Sequence, residues 1–345
     1  MILDNLSKIK KLDKSNMAGF IAEFPQKCQQ AYKEAQKISL SKEYKNVKNV
    51  IICALGGSAI SGELSKGLSD QLKKPIIINR SENLPNSTDK DSLVVLISYS
   101  GNTQEVLLCG QEAKQRKSKI FIITQGGKLK IFGKQNNFPM FNFAYPAPPR
   151  AGLAYLLMPL LVIFEKIGLI KKNSLKINKK LQNFCQNLNP QTLTEKNLAK
   201  YLAYAMFDRL PIIIAPPELV SVAYRWKTQM AENAKSFLFF EAKPEIFHNF
   251  IESVFPKRLN NEFIFLIFND IKKNYLNKKS SKILENFLKE KFCWEKVPFF
   301  GQDALTQTFS LILLGDWISF YLALLNEVDP SPVRQIKKFK KHLNE

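Results

Sequence analysis

Histidine is nearly missing from this chain. Only His248 and His342 occur in 345 residues, too few for an imidazole-built centre, so no metal site is expected. Cysteine is scarce and scattered: Cys28, Cys53, Cys109, Cys185 and Cys293 are odd in number and never form a CxxC pair. That argues against zinc and against a disulfide framework, and suits a reducing, cytoplasmic setting. Acidic residues are outnumbered, 30 against 51 Lys and Arg, for a net charge of +21. No zinc-finger, RNP or helix-turn-helix spacing accompanies this charge, so a nucleic-acid partner is not expected. Biased codon usage would account for the abundance of Lys, Asn, Ile and Phe as well as any ligand would, and a positive field would also help steer small anions.

Two further absences narrow the field. There is no G-x-x-x-x-G-K-[ST], and "ALGGSAISG" does not make a G-x-G-x-x-G, so neither a nucleotide nor a redox cofactor is implied. The most apolar segment, "AGLAYLLMPLLVIF" (151–164), is too short to span a bilayer and runs straight into Glu165 and Lys166. The opening "MILDNLSKIKKLDKSNM" is charged throughout and lacks the apolar core of a secretory signal, so neither export nor a membrane is expected.

What is present is an alternating rhythm. Hydrophobic residues make up 45% of the chain, ample for two cores, and two domains are the natural division of this length. Residues 17–40 read as one or two amphipathic helices broken near Pro25. Then "VKNVIICAL" (47–55), "KPIIINR" (74–80), "SLVVLIS" (92–98) and "KIFIIT" (119–124) read as buried strands separated by helical segments. A second set begins at "LPIIIAP" (210–216) and continues through "SFLFFE" (236–241), "FIFLIF" (263–268) and "KVPFF" (296–300), before an apolar helix over 304–325. Strands alternating with helices imply α/β architecture with two doubly wound parallel sheets. The proline-rich "NFAYPAPPRAG" (142–152) marks the expected exit from the first domain, giving domains over 1–155 and 156–345.

In such sheets ligands gather where strand ends meet helix starts. "GGS" (56–58) and "SYSGNT" (98–103) both sit at that position. A helix N-terminus offers unpaired N–H groups to an anion. Gly56 and Gly57 allow close backbone approach; Ser58, Ser98, Ser100 and Thr103 supply hydroxyls that can converge on phosphate oxygens, with Gly101 making the bend. The plainer alternative is that Asn102 or Thr103 caps a helix and the serines are ordinary turn residues. Further on, "RWKTQMAENAKSFLFFEAKPEIFHNF" (225–250) reads as a helix through about Lys235, then a strand and a loop. Glu232 and His248 are a carboxylate and an imidazole, the usual pair where protons must move at carbon and at a ring oxygen. Equally, Glu232 could pair with Arg225 or Lys235, and His248 could be an ordinary loop residue.

Taken together, the segments "GGSAISGEL", "SYSGNTQEVL", "ITQGGKL", "PAPPRAGLAYLL", "RWKTQMAENAKS", "PEIFHN" and "GDWISFYLALLNEVDPSPVRQIKKFKKHL" resemble the bifunctional phosphoglucose/phosphomannose isomerases, a branch of the sugar isomerase (SIS) domain proteins. They keep the family's order over nearly all of the chain beyond residue 50. The resemblance implies a metal-independent aldose–ketose isomerase acting on glucose, fructose and mannose 6-phosphates through a cis-enediolate. It implies a phosphate cradle of Gly57, Ser58, Ser98, Ser100 and Thr103. Arg150 would steady the enediolate and Glu232 would shuttle the proton between C1 and C2. His248, contributed by the neighbouring subunit of a homodimer, and Lys340 would help open the sugar ring. Read from chemistry alone, Lys340 is one of several charges in the tail "KKFKK". The chain departs from the family pattern at Ala54 and Leu55, where another glycine is usual before GGS, and at "FIES" after His248-Asn249. A non-catalytic sugar-phosphate sensor on the same scaffold is the competing reading; the short N-terminal segment shows no recognition helix to support it.

Overall fold

The computed structural model describes residues 2–69, 73–171, 179–253, 261–271, 275–289 and 291–343, the side chains of 275–278, 340, 341 and 343 excepted. Three helices come first: α1 (Leu6–Leu12), α2 (Met17–Ala22) and α3 (Phe24–Gln36). The break falls at Glu23, and Pro25 sits in the first turn of α3, where its missing N–H costs nothing. An alternating run follows: β1 (Asn49–Cys53), α4 (Gly56–Gly67), β2 (Ile76–Asn79), β3 (Ser92–Ser98), α5 (Gln104–Gln115), β4 (Lys119–Thr124), α6 (Gly127–Gln135), β5 (Met140–Asn142) and α7 (Leu153–Lys166). Then come α8 (Lys179–Asn187), α9 (Leu198–Met206), β6 (Leu210–Ala215), α10 (Val220–Gln229), β7 (Phe239–Ala242), β8 (Phe263–Phe268), α11 (Tyr275–Lys289), β9 (Cys293–Val297), α12 (Ala304–Leu325) and α13 (Arg334–Leu343).

The chain divides into two compact units, residues 23–178 and residues 1–22 with 179–345. The division is not at 155/156. Helix α7 packs along α3 and α4 and so completes the first unit; the prolines before it mark a loop, not a boundary.

In the first unit five parallel strands take the order β2-β1-β3-β4-β5. Every residue of β3 is buried, as expected of a central strand covered on both faces. The winding reverses between β1 and β3, which pair from Asn49↔Ser92 to Cys53↔Leu96. This is the topological switch point, and "GGS" and "SYSGNT" leave the sheet on either side of it. The second unit repeats the winding with four parallel strands, β7-β6-β8-β9. Its last strand is Cys293–Val297 and not 296–300, because Pro298 has no N–H to give to the ladder.

Helix α12 is mostly apolar and buried on all sides, with a few polar residues among the buried ones. It is long and apolar enough to cross a membrane by length and composition, yet it is buried within its unit. Asp303 caps it, accepting from Thr306 N at 2.8 Å. Its contact with α10 is polar at three successive steps: Arg225 pairs with Asp316 at 2.6 Å, Gln229 Nε2 donates to Asp316 Oδ1 at 3.0 Å, and Asn233 Nδ2 donates to Ser319 Oγ at 2.9 Å. Arg225 is therefore committed to Asp316. Breaking a buried pair leaves one charge uncompensated, which costs about 3–5 kcal/mol. Asp316→Ala should lower stability by about that amount in urea unfolding, whereas Arg225→Met with Asp316→Leu should recover most of it.

Candidate functional site

Three helices begin at the same edge of the first sheet, α4 after β1, α5 after β3 and α6 after β4. None is capped by the side chain at its own N-cap, which is Leu55, Thr103 and Gly126 respectively. The glycines of "GGS" are the first residues of α4. Gly56 takes a φ of +52°, which turns the chain from strand into helix. Leu55, where a glycine is usual, packs its side chain against the first unit's core. Gly56 is exposed, Gly57 is half-buried and Ser58 is buried.

The "SYSGNT" turn divides its polar atoms between two duties. Ser98, only 1% exposed, lies with its Oγ 2.8 Å from Thr103 Oγ1, and accepts from Gly101 N at 3.0 Å. Either hydroxyl can donate in the Ser98–Thr103 bond, which fixes the Thr103 oxygen at the edge of the turn. Ser100 is exposed and accepts from Asn102 N at 3.3 Å. Asn102 Oδ1 reaches across to accept from Lys128 N at 3.1 Å, so it serves α6 and not α5. Both local readings are therefore partly right: Ser98 and Asn102 are structural braces, the latter together with Gly101 O occupying the first-turn N–H groups of α6, while Ser100, Thr103 and the starts of α4 and α5 remain to meet an anion.

Arg150 belongs to the same unit. It sits in the 3-10 turn Pro149–Gly152 directly before α7 and is 4% exposed. A Cβ added at Gly57 would lie 3.9 Å from the Arg150 backbone, so the arginine's turn rests on "GGS". What holds it there was not legible in the sequence. Tyr99, between the two serines, donates its hydroxyl to Tyr145 O at 2.6 Å and to Ala147 O at 3.0 Å, and burial raises its pKa to about 12.

In the second unit the α-helix expected through Lys235 ends at Gln229, and a five-residue π turn, Met230–Ala234, carries Glu232. Lys235 closes the turn at φ +58°, and its Nζ donates to the carbonyls of Glu232 and Pro332. Glu232 lines a cleft of about 680 Å³ together with Ser236, Phe237, Asp329, Arg334 and Ile336, among others. His248 is exposed at the end of the 3-10 turn Glu245–Phe247 and is not among the residues lining that cleft. The "FIES" departure is a second 3-10 turn whose Phe250 ring packs edge-on against Phe265. Lys340 falls in α13, but its side chain lies outside the described residues.

The elements that lead to Glu232 and His248 pack on opposite faces of the second sheet. Alternate strand residues face opposite ways. Trp226 and Tyr224 of α10 pack on Phe268 and Phe240, on one face. Ile246 joins Ile212, Ile214, Phe265 and Ile267 on the other, with Phe247 and Phe250 packed against them.

With these features in place, relatives can be compared. A protein from Caldicellulosiruptor bescii named bifunctional phosphoglucose/phosphomannose isomerase is 37% identical over 328 residues, covering 93% of this chain and 97% of its own. The chain belongs to that family. One of the same name from Aquifex aeolicus is 31% identical, over 90% of this chain and 95% of its own. Residues 195–343 match the family model described as the bacterial phospho-glucose isomerase C-terminal SIS domain. Among solved structures, the C-terminal domain of glucosamine-fructose-6-phosphate aminotransferase from Francisella tularensis superposes with a TM-score of 0.68, at 15% identity, over 92% of this chain and 98% of its own. That likeness speaks to the fold alone.

The two serines of the turn should separate in stability measurements. Ser98→Ala removes the buried hydroxyl that accepts from Gly101 N and meets Thr103 Oγ1, while Gly101 N keeps Ser98 O at 3.2 Å, and should cost about 0.5–1.5 kcal/mol in a thermal or urea melt. Ser100→Ala, at an exposed position, should stay within about 0.5 kcal/mol of the parent.

Proposed function

We propose that this protein is a metal-independent isomerase that interconverts glucose 6-phosphate and fructose 6-phosphate and also accepts mannose 6-phosphate. The reading is carried by its near full-length relation to proteins named for that pair of activities. The first unit adds physical support, since the starts of α4 and α5, without side-chain caps, and the Ser100 and Thr103 hydroxyls form an edge suited to a phosphate.

In this reading Gly57, Ser58, Ser100 and Thr103 hold the phosphate, with Ser98 orienting the Thr103 hydroxyl. Holding the remote phosphate orients the sugar for reaction. Glu232 removes the proton from the carbon beside the carbonyl and returns it to the adjacent carbon. Arg150 faces the negative charge that develops on the enediolate oxygens. His248 and Lys340 assist opening of the ring. Glucose and mannose phosphates differ only at C2 and share one enediolate, so a site that lets either face be protonated serves both.

The reading extends to a cytoplasmic homodimer acting in glycolysis and gluconeogenesis. The separation of Glu232 and His248 across the second sheet supports a histidine supplied by the other subunit. Glu232→Gln should lower kcat about 10²- to 10⁴-fold in a coupled assay from fructose 6-phosphate while substrate still binds. Near-parent turnover would reject Glu232 as the base. Mixing inactive Glu232→Gln and His248→Ala dimers through reversible unfolding should regain up to about a quarter of parent activity, because mixed dimers keep one intact site. A histidine acting within its own subunit would give no recovery.

A further inference from the structure

Tyr99 has no part in the chemistry just described, although it stands between two residues of the phosphate cradle. Its side chain leaves the cradle and runs into the loop before α7. One hydroxyl proton is shared between Tyr145 O at 2.6 Å and Ala147 O at 3.0 Å. The ring lies so close to Gly152 that a Cβ there would be 2.3 Å from Cε2. Phe143 meets the same ring edge-on, with centroids 5.5 Å apart. The contacts at Ala147 and Gly152 bracket Arg150 on both sides in sequence.

The backbone of Tyr99 is anchored as well. Its carbonyl accepts from Gln125 N at 3.2 Å, tying it to the turn after β4. One residue thus has its main chain in the phosphate edge and its phenol under the arginine's turn. We propose that Tyr99 is a positioning residue that sets the distance between the phosphate cradle and Arg150, and so the register of the bound sugar against its enediolate-stabilising cation. The proposal rests on the isomerase reading above.

The chemistry explains the choice of residue. A phenol reaches from the cradle strand to the loop before α7, and it supplies a donor that ties together two loop carbonyls, one of which, Tyr145 O, also accepts from Ala147 N at 2.8 Å. Burial keeps that donor protonated throughout the working pH range. Phenylalanine would fill the same space but leave both carbonyls without the shared proton, letting the loop shift by a fraction of an ångström. Misplacement on that scale harms transition-state contacts more than ground-state binding.

Tyr99→Phe tests this, read by steady-state kinetics and by two inhibitors. Glucitol 6-phosphate reports on the phosphate cradle alone; arabinonate 5-phosphate adds a carboxylate in place of the enediolate. The variant should lose about tenfold or more in kcat and in affinity for arabinonate 5-phosphate, while KM and glucitol 6-phosphate affinity stay within about twofold. Gly152→Ala pushes on the same contact from the other side and should reproduce the pattern. Equal losses for both inhibitors, or an unchanged kcat, would overturn the proposal. Failure of the isomerase reading looks different, since the parent protein itself would then yield no aldose phosphate.

Discussion

Much of the first unit's functional edge depends on a carbon atom that is not there. A Cβ at Gly101 would lie 1.7 Å from Gly126 O, and Gly101 itself has a φ of +71°. Only glycine allows the turn after β3 to lie directly on the turn after β4. Once they touch, other bonds follow: Leu129 N donates to Gly101 O at 2.9 Å, and Lys128 N to Asn102 Oδ1 at 3.1 Å. Two loops that would otherwise move independently become one piece. The helix starts and hydroxyls they carry are fixed before any ligand arrives, so little ordering entropy remains to be lost on binding.

The same economy of polar atoms governs the second unit. Positions four apart on a straight α-helix drift by about 40° around its axis, so a long ladder of i, i+4 contacts gradually turns away from its partner. Arg225, Gln229 and Asn233 nevertheless all meet α12. The wider π turn over Met230–Ala234 reduces the drift where it would be greatest and keeps Asn233 over Ser319. Glu232, one residue earlier, is thereby directed into the cleft. The buried ladder and the carboxylate's direction are two results of one local change in helical pitch.

Much of this was legible in the sequence because parallel strands are buried on both faces and read as unbroken apolar runs. Lys119–Thr124, Phe263–Phe268 and the helix Ala304–Leu325 appear at the expected limits. The misses have physical causes. A π turn has no compositional signature, and "MAENA" suits an α-helix just as well. Pro298 did carry a signal that "KVPFF" could not be a full strand, but the apolar run outweighed it. The prolines of 142–152 bend the chain without ending a domain, because the buried helix after them returns to its own core. At the candidate site, residue types were readable and their directions were not. Nothing in "SYSGNT" tells which serine faces inward, or that the tyrosine reaches a carbonyl 46 residues away.

Two sheets wound alike carry different chemistry because their helices begin and end differently. In the first, the starts of α4 and α5 beside the switch point lack side-chain caps, which leaves N–H groups for an anion. In the second, the carboxylate sits at the far end of a helix, held by contacts to α12, and the imidazole sits on a loop across the sheet. A sheet with a layer on each face places such layers about 10 Å from the strands. In the proposed reading, an imidazole presented by another copy of the chain would meet the carboxylate without crossing the sheet. Association between copies would then be part of the chemistry, and the loop that bears His248 would be constrained by that contact as well as by its own Phe250 and Phe265 packing.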